Sequence, residues 1–440
     1  MKKFTLHHLF LGLMFIYISI RLAHFAPIPT TLTYDTDTYI TIANQSILSQ
    51  AFWSGIRPVV YPLLIKIFQF NWDYLVAAQF TFSVVAWLLF AYVFAKTLKT
   101  PVLQILVFGF VLVFSLSTDI ILWDRMIQTE SINISIFILI LTAYIAKIKL
   151  HFKLSTLVFL GALSIFGLLR DTNAWLLLFI AILLTGYGVI QKVTWKEYLK
   201  PAFLIAIFTI SNYTATVGNR WVIPFLNIMS MRILTEKDFI QEFERRGMPV
   251  TPELIAQKEL IFNPNYLTNP QLEAFRNWMF AKGKTSYIKF LLQRPAYLIQ
   301  TPIENWRLLF GFLPVTQQTH NDNLDYAPEN FREIIPYPLS ELFYPKEYGL
   351  FVTLATLIIT GFLLAQTQDA VHRLILLLFI TGYLMLFLNY HGDASGISRH
   401  ALSAILQIWI ALWLFIFTYL DKVMQNQLRP KLFYEGKNEY

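Results

Sequence analysis

Two short polar motifs near the N-terminus carry side chains that could do chemistry. The first, Y-D-T-D-T-Y, contains Asp35 and Asp37, and the second, G-I-R-P-V-V-Y-P, contains Arg57. A carboxylate can act as general base on an attacking hydroxyl, and a guanidinium group can bind phosphate oxygens through two parallel hydrogen bonds. Helix capping by Asp35 or Thr36 is the simpler explanation of the first motif, and both roles can coexist.

Two further charged motifs lie in the middle of the N-terminal half. The motif W-D-R-M-I-Q-T-E-S contains Asp124, Arg125 and Glu130, and the motif L-L-R-D-T-N-A-W contains Arg170 next to Asp171. A local ion pair of Arg125 with one of the two acids explains the first equally well. An ordinary tight turn with a capping aspartate explains the second.

A last motif, N-Y-H-G-D-A-S-G-I-S-R-H, carries His391, Asp393, Arg399 and His400. Binding of an anion by Arg399 is one interpretation, because guanidinium groups suit phosphate geometry. Snorkelling of Arg399 toward lipid headgroups is the alternative. His391 and Asp393 alone are too few ligands to predict a metal site.

The elements that must position these motifs are strongly apolar. The chain has 440 residues, 56% hydrophobic and only 14% charged, with a mean hydropathy of +0.52. Soluble domains carry about 25% charged residues, so this composition excludes an ordinary water-soluble globule. Cysteine is absent, which excludes disulfides and thiolate metal sites.

The hydropathy pattern predicts membrane-spanning helices, each of which needs about 20 mainly apolar residues. Asn133 and Asn212 are the main polar residues inside these stretches, and we expect them to bond to helix backbones. The pattern therefore predicts an all-α polytopic membrane protein. About ten stretches qualify, at 5–22, 74–95, 101–117, 131–146, 154–170, 174–190, 201–217, 349–366, 373–390 and 401–420.

The net charge of +8 reflects the orientation of the chain in the membrane, and we expect no nucleic-acid partner. Lys and Arg concentrate in the connections on the side of the N-terminus, and basic flanks favour the cytoplasm. All five charged motifs then lie on the opposite, outer face. The outer segments are 23–73, 118–130, 170–174, 218–348 and 391–400.

The spans and loops divide the chain into three predicted units. Residues 1–217 form an N-terminal transmembrane module with a catalytic first external loop, 23–73. In that loop, apolar residues from Tyr39 to Ala51 recur at helical spacing and predict an amphipathic helix against the membrane. The proline-rich stretch 218–348 is a mostly helical external domain, of which 286–313 lies along the interface. Residues 349–440 form a C-terminal transmembrane module and cytoplasmic tail.

The first external loop resembles that of the GT-C superfamily of integral-membrane glycosyltransferases. The likeness rests on Tyr34-Asp35-x-x-x-Tyr39 followed by Arg57-Pro58-x-x-Tyr61-Pro62. It extends to the T-E-S, R-D-T-N and late Arg399 elements and to the hydropathy of most of the chain. Such enzymes use polyprenyl-phosphate sugars, and they include protein mannosyltransferases and aminoarabinose transferases. The resemblance implies about ten to thirteen spans, with Pro58 to Phe70 or 286–313 as further embedded segments.

The resemblance also implies roles for individual residues. Asp35 matches the leading catalytic acid, whereas Thr36 stands in place of the second acid and Asp37 is shifted by one residue, so either aspartate remains a candidate base. Some relatives bind a divalent cation through outer-loop acids, and Asp124 with Glu130 could hold Mg²⁺ or Mn²⁺ in this way. The implied donor-phosphate ligands are Arg57, Arg125, Arg399 and His400, and the implied acceptor groove contains Tyr39, Tyr61, Glu130, Arg170, His391 and Asp393.

By this resemblance the expected activity is transfer of a sugar from a polyprenyl-phosphate donor to a hydroxyl of a glycan, lipid or protein, with inversion. We expect a multi-pass protein of the bacterial plasma membrane with its site outside, although an endoplasmic reticulum protein has the same topology. Two alternatives stay open. One is an envelope-polysaccharide polymerase or ligase that uses lipid-pyrophosphate-linked glycans, and the other is a lipid or solute transporter.

Overall fold

The computed structural model describes residues 2–26, 30–33, 35–261, 264–310, 348–365 and 369–435. These ranges are helical throughout, apart from turns and one isolated bridge between Thr31 and Met126. A backbone in hydrocarbon must satisfy its own polar groups, and helices do this within one segment. The expected all-helical architecture is confirmed for the described ranges.

The N-terminal part of the chain contains the helices α1 Lys2–Phe25, α2 Thr36–Ala43, α3 Gln50–Trp53, α4 Val60–Ile67, α5 Trp72–Thr97, α6 Pro101–Phe114, α7 Thr118–Ile121, α8 Glu130–Leu150, α9 Ser155–Leu169, α10 Asp171–Ile190 and α11 Leu199–Val217. The middle part contains α12 Val222–Ile228, α13 Lys237–Arg245, α14 Pro252–Ile255, α15 Asn265–Thr268, α16 Glu273–Trp278, α17 Lys284–Gln293, α18 Pro295–Glu304 and α19 Trp306–Phe310. The C-terminal part contains α20 Gly349–Ala365, α21 Ala370–Gly392 and α22 Ile397–Glu435.

Six of the described helices are long and apolar enough to cross a membrane, and two bent helix pairs raise the number to eight if each pair is one span. The bends are 60° between α6 and the Thr118–Arg125 segment, and 74° between the Trp195–Val217 and Val222–Ile233 segments. The described residues therefore contain six to eight helical segments that could span a membrane, which supports the predicted membrane protein. The six helices are Leu6–Phe25, Trp72–Thr97, Glu130–Leu150, Asp171–Ile190, Ala370–Gly392 and Ile397–Gln427.

The predicted apolar stretches fall largely on helices, but three of those helices are short, namely the 14-residue α6, which belongs to a bent pair, and two others. Ser155–Leu169 and Gly349–Leu364 have fewer than 18 residues. A 15-residue helix rises about 22 Å, which is less than the roughly 30 Å of a bilayer core. The predicted amphipathic helix from Tyr39 is likewise interrupted, because α2 ends at Ala43 and the Ser49 side chain caps a new helix by accepting from the Phe52 amide.

Two sets of polar contacts mark the opposite ends of the helical bundle. At the end of α8 that contains Lys149, this lysine pairs with Asp369 at 3.3 Å. The connection between α5 and α6 is held in a similar way, because the Asp421 carboxylate accepts hydrogen bonds from the backbone amides of Lys99 and Thr100, at 3.1 and 2.9 Å. Glu130 begins α8 at its other end, about 30 Å away along a 21-residue helix. The charged motifs of interest gather around that second end.

The described part of the middle region, up to Phe310, has its own hydrophobic core. Phe243, Phe275, Met279 and Phe290 are almost completely buried in it. The larger core joins α1, α5, α6, α8, α9, α10, α21 and α22 through aromatic and branched aliphatic side chains. Part of the predicted interfacial segment 286–313 forms α17, α18 and α19, and residues 311–313 lie outside the described ranges.

Candidate functional site

The connection between α1 and α5, called the first loop below, holds Asp35 directly before α2. Thr36 fixes this helix start, because its hydroxyl accepts from the Thr33 amide at 2.8 Å and donates to the Ile127 carbonyl at 3.0 Å. The Thr31 amide donates to the Arg125 carbonyl at 2.9 Å. These bonds tie the first loop to the segment that precedes α8, although the two are about 90 residues apart.

Asp35 lies between two arginines from distant parts of the chain. Arg57 Nη2 contacts its Oδ1 atom, and Arg399 Nη1 lies 2.7 Å from its Oδ2 atom. Arg57 is itself held by a 2.8 Å hydrogen bond from Nε to the Thr38 hydroxyl and by packing over the Tyr39 ring. Burial alone would raise the pKa of Asp35, but the charges of Arg399 and Arg57 outweigh burial and hold this pKa well below its usual range.

Glu130 is the second carboxylate in this region, at the first position of α8. Its Oε1 atom lies 3.6 Å from Arg170 Nη1 and 3.7 Å from Arg399 Nε. Arg170 occupies an extended residue between α9 and α10, and its Nη2 atom is 2.9 Å from His400 Nδ1. Arg399 therefore bridges both carboxylates, and among the described residues its buried Nε atom has no hydrogen-bond partner.

These contacts define one charge cluster, built from the first loop, α8, the α9–α10 break and the start of α22. Its three guanidinium groups and two carboxylates leave one unit of surplus positive charge. The side chains of both carboxylates are at most 13% exposed, so these charges depend on one another for compensation. The charge cluster consists of Asp35, Arg57, Glu130, Arg170, Arg399 and His400.

Tyr39 and Tyr61 form an aromatic wall beside the charge cluster. Their rings are buried with centroids 5.0 Å apart. The Tyr61 hydroxyl donates to Gln79 Oε1 at 2.6 Å, and the Gln79 amide group donates in turn to the carbonyls of Asp124 and Met126. Burial raises the pKa of both phenols, so they are neutral hydrogen-bonding groups at physiological pH.

Five of the predicted site residues lie outside the charge cluster and its aromatic wall, and three of these are Asp37, Arg125 and Asp124. Asp37 is exposed and, within the described ranges, forms no ion pair. Arg125 donates to the Phe25 carbonyl at 3.0 and 2.7 Å and stacks on the Phe25 ring, so it fastens the end of α1. Asp124 forms a buried ion pair with Arg21 and accepts from the Ser131 hydroxyl at 2.6 Å.

The proposed metal ligands are therefore engaged by other groups. Both carboxylate oxygens of Asp124 accept hydrogen bonds from protein side chains, and Glu130 faces two arginines. The part of the chain that the structure describes contains no group of three or more His, Asp or Glu side chains that could hold a metal ion. The donor set around Asp124 and Glu130 thus does not fit Mg²⁺ or Mn²⁺, which require several oxygen ligands at one point.

His391 and Asp393 connect the α21–α22 turn to the middle region. His391 Nε2 is 2.9 Å from the Leu298 carbonyl, and Asp393 Oδ1 accepts from Asn227 Nδ2 at 3.0 Å. Burial raises the pKa of Asp393. Both side chains therefore join two parts of the fold and lie outside the charge cluster.

Several residues near the charge cluster were not singled out by their sequence patterns. Arg220 pairs with Asp171 at 2.9 Å and donates to the Gly55 carbonyl at 2.9 Å, which anchors the first loop close to Arg57. The backbone-bonding expectation for Asn133 was wrong, since its amide bonds to the side chains of Ser403 and Asn173. Both partners are remote in sequence, so periodicity within one helix cannot reveal them.

No family model matches this chain, and a search of curated proteins finds no match either. The charge cluster combines carboxylates that can accept a proton with guanidinium groups that can hold an anion. Charges of both signs in contact, buried at the ends of several helices, are typical of active sites. Arranged in this way, these groups could bind an anion beside a carboxylate.

Proposed function

We propose that this protein is a membrane glycosyltransferase of the GT-C type, which moves a sugar from a polyprenyl-phosphate donor to an acceptor hydroxyl. The observation that carries the proposal is the contact of one carboxylate, Asp35, with two guanidinium groups, Arg57 and Arg399. A base and two phosphate ligands are the groups that this transfer needs at one point.

The net charge of the cluster favours a monophosphate donor. A sugar linked to a polyprenyl phosphate is a phosphodiester with one negative charge, and the cluster has one surplus positive charge. A pyrophosphate-linked glycan carries two negative charges and would leave one of them uncompensated in a partly buried site. This balance supports the transferase over the polymerase or ligase alternative.

Arg399 and Arg57 hold the donor phosphate in this proposal. Both guanidinium groups already bind carboxylate oxygens, and phosphate oxygens offer the same geometry with more acceptor sites. Arg170 and His400 extend the positive side of the cluster and orient Arg399 through Glu130. Tyr39 and Tyr61, whose rings are buried, form the aromatic wall behind these groups.

Asp35 is the general base. In the free protein its two arginine partners make it a weak base, since its pKa lies well below the usual range. A donor phosphate competes for the same guanidinium groups, and this competition returns the pKa of Asp35 toward its ordinary value. Asp35 then takes the proton of the acceptor hydroxyl while that oxygen bonds to the anomeric carbon.

The leaving group departs as the polyprenyl phosphate monoester. The bond between the anomeric carbon and the phosphate oxygen breaks, and the bonding electrons stay on the phosphate. Arg399 and Arg57 stabilise the charge that grows there, which is electrostatic catalysis by preorganised groups. One displacement at the anomeric carbon inverts its configuration.

The membrane setting fits a lipid-linked donor. Nucleotide sugars are cytosolic, so a transferase whose site faces outward needs a donor already carried across the bilayer. We propose a multi-pass protein of the bacterial plasma membrane with about ten to thirteen spans and embedded segments, its charge cluster facing the outside. The acceptor is a glycan, lipid or protein hydroxyl.

The test is sugar transfer by the purified protein in nanodiscs, with a panel of radiolabelled sugars on polyprenyl monophosphate. We expect transfer with the wild type, a loss of about 10²- to 10⁴-fold for Asp35→Asn, and near-normal turnover for the matched control Asp37→Asn, two residues away on the exposed side of α2. Transfer only from pyrophosphate-linked chains would instead support the polymerase or ligase. Uptake into sealed vesicles without a covalent product would support a transporter.

A further inference from the structure

Three polar side chains inside the helical bundle form a hydrogen-bonded chain between α8, α10 and α22. Asn133 Nδ2 donates to Ser403 Oγ at 2.8 Å, and Asn173 Nδ2 donates to Asn133 Oδ1 at 2.6 Å. Asn173 also donates to the Phe166 carbonyl on α9, at 2.9 Å. Both asparagines are almost completely buried, so each lost bond would leave a polar group without water.

The spacing of this chain matches that of the charge cluster. Asn133 follows Glu130 by three residues and Asn173 follows Arg170 by three, while Ser403 follows Arg399 by four. Residues three or four apart on one helix lie on the same face, one turn from each other. Arg170 is the extended residue directly before α10, and Asn173 lies in the first turn of that helix. The polar chain therefore lies one turn below the charge cluster and joins the same three segments that contribute Glu130, Arg170 and Arg399.

We infer that Asn133, Asn173 and Ser403 are positioning residues that set the register of α8, α10 and α22 and thereby hold Glu130 between Arg170 and Arg399. This inference rests on the proposed function for its kinetic readout only. The three residues do not touch the reacting groups.

The cluster itself is poorly suited to fix α8, although the 2.9 Å contact of Arg170 with His400 joins the other two segments. Its contacts to Glu130 are 3.6 and 3.7 Å long, which is beyond a normal hydrogen bond, so they tolerate a shift of the helices. A buried side-chain bond has a single good geometry, and a polar residue at one core position can specify helix register.

Asn133→Leu removes both hydrogen bonds and keeps the branching and the number of heavy atoms of the side chain. We expect kcat/KM for sugar transfer to fall by about 10²-fold, because an error of about 1 Å in positioning costs that much. The matched control is Ser135→Ala on the same helix. Ser135 is fully buried, but its hydroxyl donates only to the Ser131 carbonyl of α8, so this variant should turn over like the wild type.

Asn133→Asp tests whether the hydrogen bonds themselves matter. A protonated carboxyl can donate to Ser403 and accept from Asn173, as the amide does, whereas an ionised carboxylate cannot donate. We therefore expect the activity of Asn133→Asp, divided by that of the wild type, to fall reversibly as pH rises. The same activity ratio for Asn133→Leu should not change with pH. If residue 133 only fills space, neither activity ratio changes with pH, which would overturn the inference.

A double-mutant cycle separates this inference from the proposed function, because it uses thermal unfolding and no substrate. If Asn133 positions Glu130, then Glu130→Gln lowers Tm less in the Asn133→Leu background than in the wild type. With Ser135→Ala in place of Asn133→Leu, the two effects should simply add. Additive effects in the first cycle would overturn the inference even if sugar transfer is found, and coupled effects would support it even if transfer is absent.

Discussion

Arg399, in the first turn of the last helix, donates a 2.7 Å hydrogen bond to Asp35, which precedes it by 364 residues. This contact joins the start of the first loop to the start of α22, so the two ends of the chain build one site. Arg57 contacts the other oxygen of the same carboxylate. Phosphate binding, base strength and stability of the charge cluster are therefore linked through one side chain.

Arg399 and Asp35 should be coupled in stability. Removing one partner of a buried ion pair commonly costs about 3–5 kcal/mol, since it leaves an uncompensated charge. We expect Arg399→Gln and Asp35→Asn each to lower Tm clearly, and the double variant to lose less than the sum. Thermal unfolding in nanodiscs measures this. Strictly additive losses would show that the two charges do not compensate each other.

The pH dependence of stability should show that the pKa of the Asp35 carboxyl is lowered in the folded protein. The pKa of Asp35 in the folded protein lies below its unfolded value of about 3.9. Its stabilising contribution is then fully present above the unfolded pKa and is lost only as pH falls through the folded pKa. We expect the Tm difference between the wild type and Asp35→Asn to stay constant from pH 8 to about 5 and to shrink below about pH 4. A difference that already changes between pH 7 and 6 would contradict the assignment.

Gly218 should be intolerant of a side chain. A Cβ atom at this position would lie 2.4 Å from the carbonyl oxygens of Ser54 and Gly55, and these backbone atoms cannot rotate away. We expect Gly218→Ala to cost about 1–3 kcal/mol and to raise the donor KM, because Arg57 lies two residues after Gly55. Gly161→Ala, in the interior of α9 with no atom within 4 Å of its Cβ, is the matched control and should be neutral or stabilising. Equal Tm and KM for the two variants would refute the close approach.

Arg21 and Asp124 should act as a structural pair and not as part of a metal site. Arg21 is 1% exposed, and it also donates to the Ser83 hydroxyl and the Ser115 carbonyl. Arg21→Met should therefore lower stability by about 3–5 kcal/mol, and chelation with EDTA should change neither Tm nor transfer. Activity that EDTA abolishes and Mn²⁺ restores would assign a metal to this protein.

The orientation in the membrane can be tested because the chain has no cysteine. Single cysteines can replace two exposed residues, Ser46 in the first loop and Gln191 after α10. In intact bacterial spheroplasts, a membrane-impermeant maleimide should label Ser46→Cys and spare Gln191→Cys until the membrane is opened. The reverse pattern would place the charge cluster on the cytoplasmic side.

The sequence alone determined that the chain is a helical membrane protein. In a long apolar run within hydrocarbon, the backbone N–H and C=O groups have no water to bond to and must bond to each other, so helix formation follows from local composition. The number of spans does not follow from hydropathy, which qualifies about ten stretches where the described residues contain six to eight. The reason is that α6 is followed by a bend at Ser115–Ser117 and α9 is short, and hydropathy registers neither feature.

Only the tertiary structure decided which charged residues share a site. Asp35 and Asp37 are the same residue type, two positions apart. Asp35, directly before α2, contacts Arg399, whereas Asp37, in the first turn of α2, is exposed. Arg125 and Asp124 lie in a promising motif, yet the end of α1 engages both of them. The physical reason is that partners are chosen by contacts between helices far apart in sequence, whereas a sequence pattern reports only neighbours along one helix.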